Sequence, residues 1–521
     1  MRFLKTAAVF MALVSLLTAC GAKQTTPQIL APTAPTHTDI TKLVLADSGI
    51  TENGTPVGTD ISAAVYTAND IVYYEAGHDF TYGEGSEKDA HTAEEATAHT
   101  VVHITRPGAY SLSGKLSLGQ IAVDLGDDAK KDPNAVVTLI LDGVDITCKV
   151  APAVIFYNVY ECGNNDAQNA NWDVDTSAAG ANVVIADGAV NTVRGSYVER
   201  IYKPDTVVLN EDKTEVEEAK KLHKYDGAFY SKCSMNIFGD KKNTGVLNIK
   251  AENEGLDSEL HLTLNGGNIS IESGNDGINT NEDGVSVTTV NGGNLTIRVT
   301  GETGEGDGID SNGWLVINGG TVTAAACSTS ADAGIDSDMG IHIQGGTVIA
   351  TGHMLDRIES GGQNYAVFNF AQKQAGNETF TLNDQHGSVI LETKPENAFS
   401  ILIYSSAALK AGTYTLWSDR KQLAGSSGSM MGGPGMRPDG AERPERPDNM
   451  QPPAEGQQPP GGGTPPAAFT PPDGGNRPEK PEGNRPGNFG GNKTDTQALT
   501  VDFVIRDGGN MFAGVSLYGN T

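Results

Sequence analysis

Apolar and polar positions alternate in short bursts through the middle of the chain, and the bursts recur. Asn265-Gly266-Gly267, Asn291-Gly292-Gly293, Asn318-Gly319-Gly320 and Gln344-Gly345-Gly346 are spaced by 26, 27 and 26 residues. Each Gly-Gly precedes a segment of alternating character: Asn268-Ile269-Ser270-Ile271, Asn294-Leu295-Thr296-Ile297, Thr321-Val322-Thr323 and Thr347-Val348-Ile349. A period of two marks a strand with one buried face. A second strand precedes each Gly-Gly, as in residues 260–264 or Leu315-Val316-Ile317. A comparable helical period is not found.

A fixed repeat of several short strands, punctuated by turn glycines, predicts a parallel β-helix. One repeat cannot bury its inward side chains alone, but stacking repeats at the ~4.8 Å strand spacing buries them in one continuous core. The glycines are expected at corners, where a Cβ would be strained or would clash. A β-sandwich is the competing plan, and it would need hairpin turns every 8–12 residues or so. Earlier segments fit the repeat less regularly: residues 136–143 and 182–188 read as strands ending in tight turns, and Asp226-Gly227-Ala228-Phe229-Tyr230 opens the first clear repeat.

Composition divides the rest. Residues 431–490 hold 15 prolines and 13 glycines, which resist both helix and sheet. Residues 498–505 read as a strand again, so the Pro/Gly-rich stretch is an insertion looped out of a β unit. The divisions expected are a leader at 1–19, a tether and N-terminal segment at 20–66, and N-terminal β coils at 67–200. Regular coils with acidic corners follow at 201–360, then a C-terminal β cap at 361–424, a disordered insertion at 425–496 and terminal strands at 497–521.

The leader carries Arg2 and Lys5 before an apolar run over 7–17, too short for the ~20 residues that span a bilayer. It ends in Leu17-Thr18-Ala19-Cys20-Gly21, which resembles a bacterial lipoprotein signal; the alternative is an ordinary secretory signal. On the lipoprotein reading a lipid on Cys20 anchors the mature chain to the extracellular face of the cell membrane. Cys148, Cys162, Cys233 and Cys327 form no Cys-x-x-Cys pair, so a zinc site is not expected. Free, buried thiols are the preferred reading, with a Cys148–Cys162 bridge as the alternative.

Charge narrows the partners. With 36 Lys+Arg against 65 Asp+Glu the formal charge is −29, and loss of Arg2 and Lys5 with the leader makes it −31. No basic surplus exists to displace counterions from a phosphate backbone, which excludes nucleic acid. The acids are also patterned: Gly255-Leu256-Asp257, Asp276-Gly277-Ile278-Asn279, Asp307-Gly308-Ile309-Asp310 and Gly334-Ile335-Asp336 recur in phase with the repeat. Stacking would set Asp257, Asn279, Asp310 and Asp336 in one column, about a strand spacing apart. Residues 251–352 contain 15 acids and one base, Arg298. Hard cations with oxygen ligands relieve such crowding, and calcium accepts six to eight oxygens in loose geometry. Asp257, Asp276, Asp307, Asp310 and Asp336 are the candidate calcium ligands. A solvated acidic edge is the plainer alternative, and Asn279 could belong to a stacked amide ladder.

These corners, the Asn-Gly-Gly strands and the run Gly108-Ala109-Tyr110-Ser111-Leu112-Ser113-Gly114-Lys115-Leu116 resemble the clostridial polysaccharide-binding β-helix proteins, a family of carbohydrate-binding domain-containing proteins. The resemblance covers roughly residues 101–417. It implies an all-β, right-handed, pectate-lyase-like parallel β-helix, calcium at its turns, and a cell-surface protein that binds cellulose or polygalacturonate-like polymers. The fold alone does not separate binder from enzyme. A calcium-dependent lyase needs a Lys or Arg to take the α-proton, and the acidic repeats offer only Arg298, with Lys224, Lys232 and Arg357 at their margins. A hydrolase needs two carboxyls about 6.5–9.5 Å apart, and only Asn279-Thr280-Asn281-Glu282-Asp283-Gly284 loosely resembles a polygalacturonase motif. Binder is the first reading, lyase the second and hydrolase the third. Of the three tryptophans, Trp172, Trp314 and Trp417, Trp314 lies just after the acidic corner at Asp310 and is the candidate for stacking on a sugar ring. A partly buried strand-edge aromatic is the equal alternative.

Overall fold

The computed structural model describes residues 31–163, 165–428 and 499–518. The leader, Cys20 and residues 429–498 of the insertion lie outside them. The described chain is almost entirely β: one α-helix, Ala93–Thr97, is capped at both ends of its first turn by Thr92 and Glu95. Among the described residues no helix is long and apolar enough to cross a membrane.

Three ladders of parallel strands carry the repeats. The first runs through Ala181–Ile185, Met235–Gly239, Leu262–Leu264, Val287–Val290, Trp314–Ile317 and Gly340–Ile343. The second runs through Val190–Gly195, Val246–Ala251, Asn268–Ser273, Asn294–Val299, Thr321–Ala325 and Thr347–Gly352. A third collects Val154–Asn158, Gly227–Ser231, Glu254–Ser258, Ile278–Thr280 and Ile309–Ser311. Each repeat gives one strand to each ladder in turn, except the last, which adds to the first two and not to the third. Alternation marks the second ladder: Ile269, Ile271, Leu295, Ile297, Val322 and Ala324 are all buried in one core. These are the strands that the spacing of the Gly-Gly pairs predicts.

The corner glycines act as expected. Gly293 has φ +84°, and a Cβ there would come within 2.5 Å of the Gly267 carbonyl oxygen of the preceding repeat. Amides ladder beside them: Asn291 donates to Asn265 Oδ1 at 2.8 Å and Asn318 to Asn291 Oδ1 at 2.9 Å. Asn294 donates likewise to Asn268 at 2.8 Å.

The parallel order ends at Thr347–Gly352, which pairs antiparallel with Phe399–Ser406. That strand belongs to a C-terminal, mainly antiparallel unit with its own aromatic core of Phe368, Phe370, Phe380, Phe399, Phe503 and Phe512. Tyr365–Gln374, Phe380–Asp384, Val389–Thr393, Gly412–Ser418 and Lys421–Gly428 build it, and Phe503–Ile505 and Gly509–Leu517 complete it. The strand expected over 498–505 is shorter: Thr500 makes a single bridge to Gly425, a bend follows at Val501, and the strand proper begins at Phe503. The Gly425–Thr500 bridge has both N–H···O bonds at 2.9 Å, so the ends of the insertion are fastened side by side. Cys148, Cys162, Cys233 and Cys327 are free thiols, and the Cys148–Cys162 bridge is absent.

Candidate functional site

The third ladder places the acids. Its register sets Asp257 opposite Asn279 and Asn279 opposite Asp310. The backbone continues the column, because the Asp336 N–H donates to the Ile309 carbonyl at 2.7 Å. Leu256, Ile278, Ile309 and Ile335, the neighbours of these acids, are fully buried and hold the strands down.

Asp307, Asp310 and Asp336 converge: each offers a carboxylate oxygen, and those oxygens lie within 4.8 Å of one another. Asp276 adjoins them, accepting the Asp307 N–H at 2.7 Å, and Asp307 in turn accepts the Ala333 N–H at 2.5 Å. Burial and the charges of Asp276 and Asp336 push the Asp307 carboxyl well above the usual carboxylate range. Asp336 is raised to about 7 by burial, then by Asp356 and Asp310. Asp356, which burial also raises, accepts the Ser337 N–H at 3.2 Å. Such shifts mark carboxylates crowded without enough positive charge. An all-oxygen donor set at this spacing suits a hard divalent cation.

Asp257 does not join that group. It lies two strands along, is fully buried, and sits with Glu254, its Oδ1 accepting from Asn281 at 2.7 Å. Glu254 Oε1 accepts from Asn279 Nδ2 at 3.0 Å. Glu254 Oε2, Asp257 Oδ2 and Asn279 Oδ1 are buried with no hydrogen-bond partner. Orphaned buried oxygens are costly unless a proton or a cation answers them. Burial dominates the rise of both carboxyls, with Asp226 adding to each. Arg200 reaches Asp226 at 2.8 Å and leaves the other two without a direct cationic partner.

Glu254 and Asp356 are the members the motif reading missed. Glu254 precedes Gly255 as Asp276 precedes Gly277 and Asp307 precedes Gly308, so aligning the residue before each corner glycine would have found it. Asp356 sits in irregular chain beyond the last repeat, where no period points to it.

Trp314 opens its strand and is half-buried, and its carbonyl accepts from Ser311 Oγ at 3.0 Å. Trp172 is 40 % exposed and stacks on His342 with ring centroids 4.6 Å apart. Arg298, the base of the acidic repeats, is engaged by Glu272 at 2.6 Å and Glu396 at 3.3 Å. Arg357, next to Asp356, is held by Glu359 at 2.7 Å and also donates to the Met339 carbonyl.

A family model described as carbohydrate-binding domain-containing protein matches residues 98–364. A carbohydrate-binding domain-containing protein of Acetivibrio thermocellus is 30 % identical over 174 residues, which are 33 % of this chain and 45 % of the relative. The match thus spans less than half of that relative's length. A solved polysaccharide lyase-like protein from C. thermocellum, a gadolinium derivative, aligns over 60 % of this chain and 90 % of its own at 20 % identity, with a TM-score of 0.34.

Proposed function

The chain belongs to the family of carbohydrate-binding domain-containing proteins, and from that premise we propose that it binds plant-type polysaccharide, cellulose or polygalacturonate-like, with calcium as its cofactor. The convergence of Asp307, Asp310 and Asp336 carries this reading. When bound there, calcium supplies positive charge that both the protein carboxylates and the uronate groups of a polymer can share. Without it, a chain of formal charge −29 repels polygalacturonate. We read the three ladders as coils of a right-handed parallel β-helix whose length offers an extended face to a polymer. Cys20, as a lipidated N-terminus, would hold that face outside the cell membrane.

A lyase is the second reading, favoured by the acidic cluster but not by its candidate bases, since Arg298 and Arg357 are already engaged. Pull-down on polygalacturonate and on cellulose, each with calcium and with chelator, tests both. Polygalacturonate binding should collapse in chelator. Binding that survives chelation would overturn the calcium-bridge reading, and ultraviolet-absorbing unsaturated products would replace the binder by the lyase.

A further inference from the structure

The C-terminal unit lies beyond the matched residues 98–364, yet one face of it is built like a sugar platform. Register puts Glu392 opposite Thr381, Thr381 opposite Trp417 and Trp417 opposite Gln422, one row across four antiparallel strands. Their neighbours Phe380, Leu382, Leu391 and Leu416 are buried in the aromatic core, so the row is the outward face. An open groove of about 680 Å³ runs along it, lined by Thr379, Thr381, Asn383, Glu392, Trp417, Asp419 and Arg420.

We propose that this groove is a second, metal-independent subsite for a neutral β-linked glycan, with Trp417 as its stacking platform. The Trp417 indole N–H donates to Thr415 Oγ1 at 3.0 Å, two residues back on the same face, which pins the ring along its own strand. A pinned, half-buried indole presents a flat apolar surface at little entropic cost. A pyranose with equatorial hydroxyls matches it, because its axial C–H bonds meet the ring and its hydroxyls point to the rim. That rim alternates donors and acceptors: the Thr379 and Thr381 hydroxyls, the Arg420 guanidinium, and the Glu392 and Asp419 carboxylates. Asp419 is fixed for the role, its Oδ1 accepting the Thr379 N–H at 3.0 Å. Among the lining residues, Asn383 Oδ1 is buried without a hydrogen-bond partner. Two carboxylates against one guanidinium disfavour a uronate and leave a neutral sugar as the occupant. The volume falls within the roughly 300–1,000 Å³ of ordinary ligand sites.

This subsite stands apart from the calcium reading, and its test separates the two. Cellohexaose is titrated into the full chain in chelator, read by tryptophan fluorescence and calorimetry. Trp417→Ala should weaken binding by at least about tenfold with the melting temperature retained. Arg420→Ala with Glu392→Ala should weaken it as well, which covers the case in which Trp417→Ala fails to fold. Absence of cellohexaose binding in chelator, or equal binding by the parent and the groove variants, overturns the proposal without touching calcium-dependent binding of polygalacturonate.

Discussion

Replacing Asp336 by Asn should stabilise the metal-free protein, and only at neutral pH. The Asp336 carboxyl titrates near pH 7 in the folded chain, raised by burial and by Asp356, Asp310 and Asp338, while the Ser337 N–H pulls the other way. In the unfolded chain the same group titrates near 3.9. Between these values the folded form keeps a proton that the unfolded form has released, so stability falls as pH rises from about 4 to 7 and levels off above. Three pH units correspond to about 4 kcal/mol, an upper bound because Asp336 is partly solvated and shares its charge with Asp356. Asparagine has nothing to titrate. In chelator the variant should therefore melt with the parent at pH 4 and above it at pH 7.5, by up to about 5 °C for a cooperative unit of several hundred residues. The comparison of variant with parent cancels the many carboxylates elsewhere that titrate low. On the proposed calcium reading, saturating calcium should reverse the order, since ion binding would stabilise the parent by mass action and Asp336→Asn would remove a ligand. A melting difference that stays constant with pH in chelator, or a variant less stable at pH 7.5, would refute the account of a crowded, undercompensated cluster.

Two further outcomes follow from the scaffold. Gly293→Ala combines a left-handed backbone with a Cβ 2.5 Å from the Gly267 carbonyl; together these should cost about 2–4 kcal/mol, read as a lowered urea midpoint, whereas an unchanged midpoint would mean the repeats can slide apart freely. Replacing residues 429–498 by an eight-residue Gly/Ser linker should leave melting unchanged or raise it, because the Gly425–Thr500 bridge already fastens both ends and shortening the loop saves at most about 2 kcal/mol; a drop of several degrees by calorimetry would show that the insertion packs on the body.

The repeat was legible because its physics is local. A Gly-Gly every 26 or 27 residues fixes the corner, two-residue alternation fixes the face, and stacking then sets the register of Asp257, Asn279 and Asp310. Which acids share a pocket was less legible. Asn279 interrupts the column, so Asp257 falls on one side with Glu254 while Asp310 falls on the other with Asp307 and Asp336. Asp356 enters from a segment with no period, and its place depends on how the chain leaves the last repeat. The Trp417 face escaped notice for a different reason. Its row joins Thr381 to Glu392, 11 positions on, and to Trp417, 36 positions on, in antiparallel strands, and no periodic stretch of sequence marks it.

The reversal of direction at Thr347–Gly352 has a consequence for solution behaviour. A parallel ladder that simply stopped would present a row of bare N–H and C=O groups at the spacing of cross-β fibrils, ready to template the next molecule. Phe399–Ser406 occupies that row with a strand running the other way, anchored in its own aromatic core. The C-terminal unit therefore works as a stopper against end-to-end polymerisation, whatever it binds. A fragment cut at residue 364 would keep the matched domain and lose the stopper, turning a closed edge into a seed for fibres.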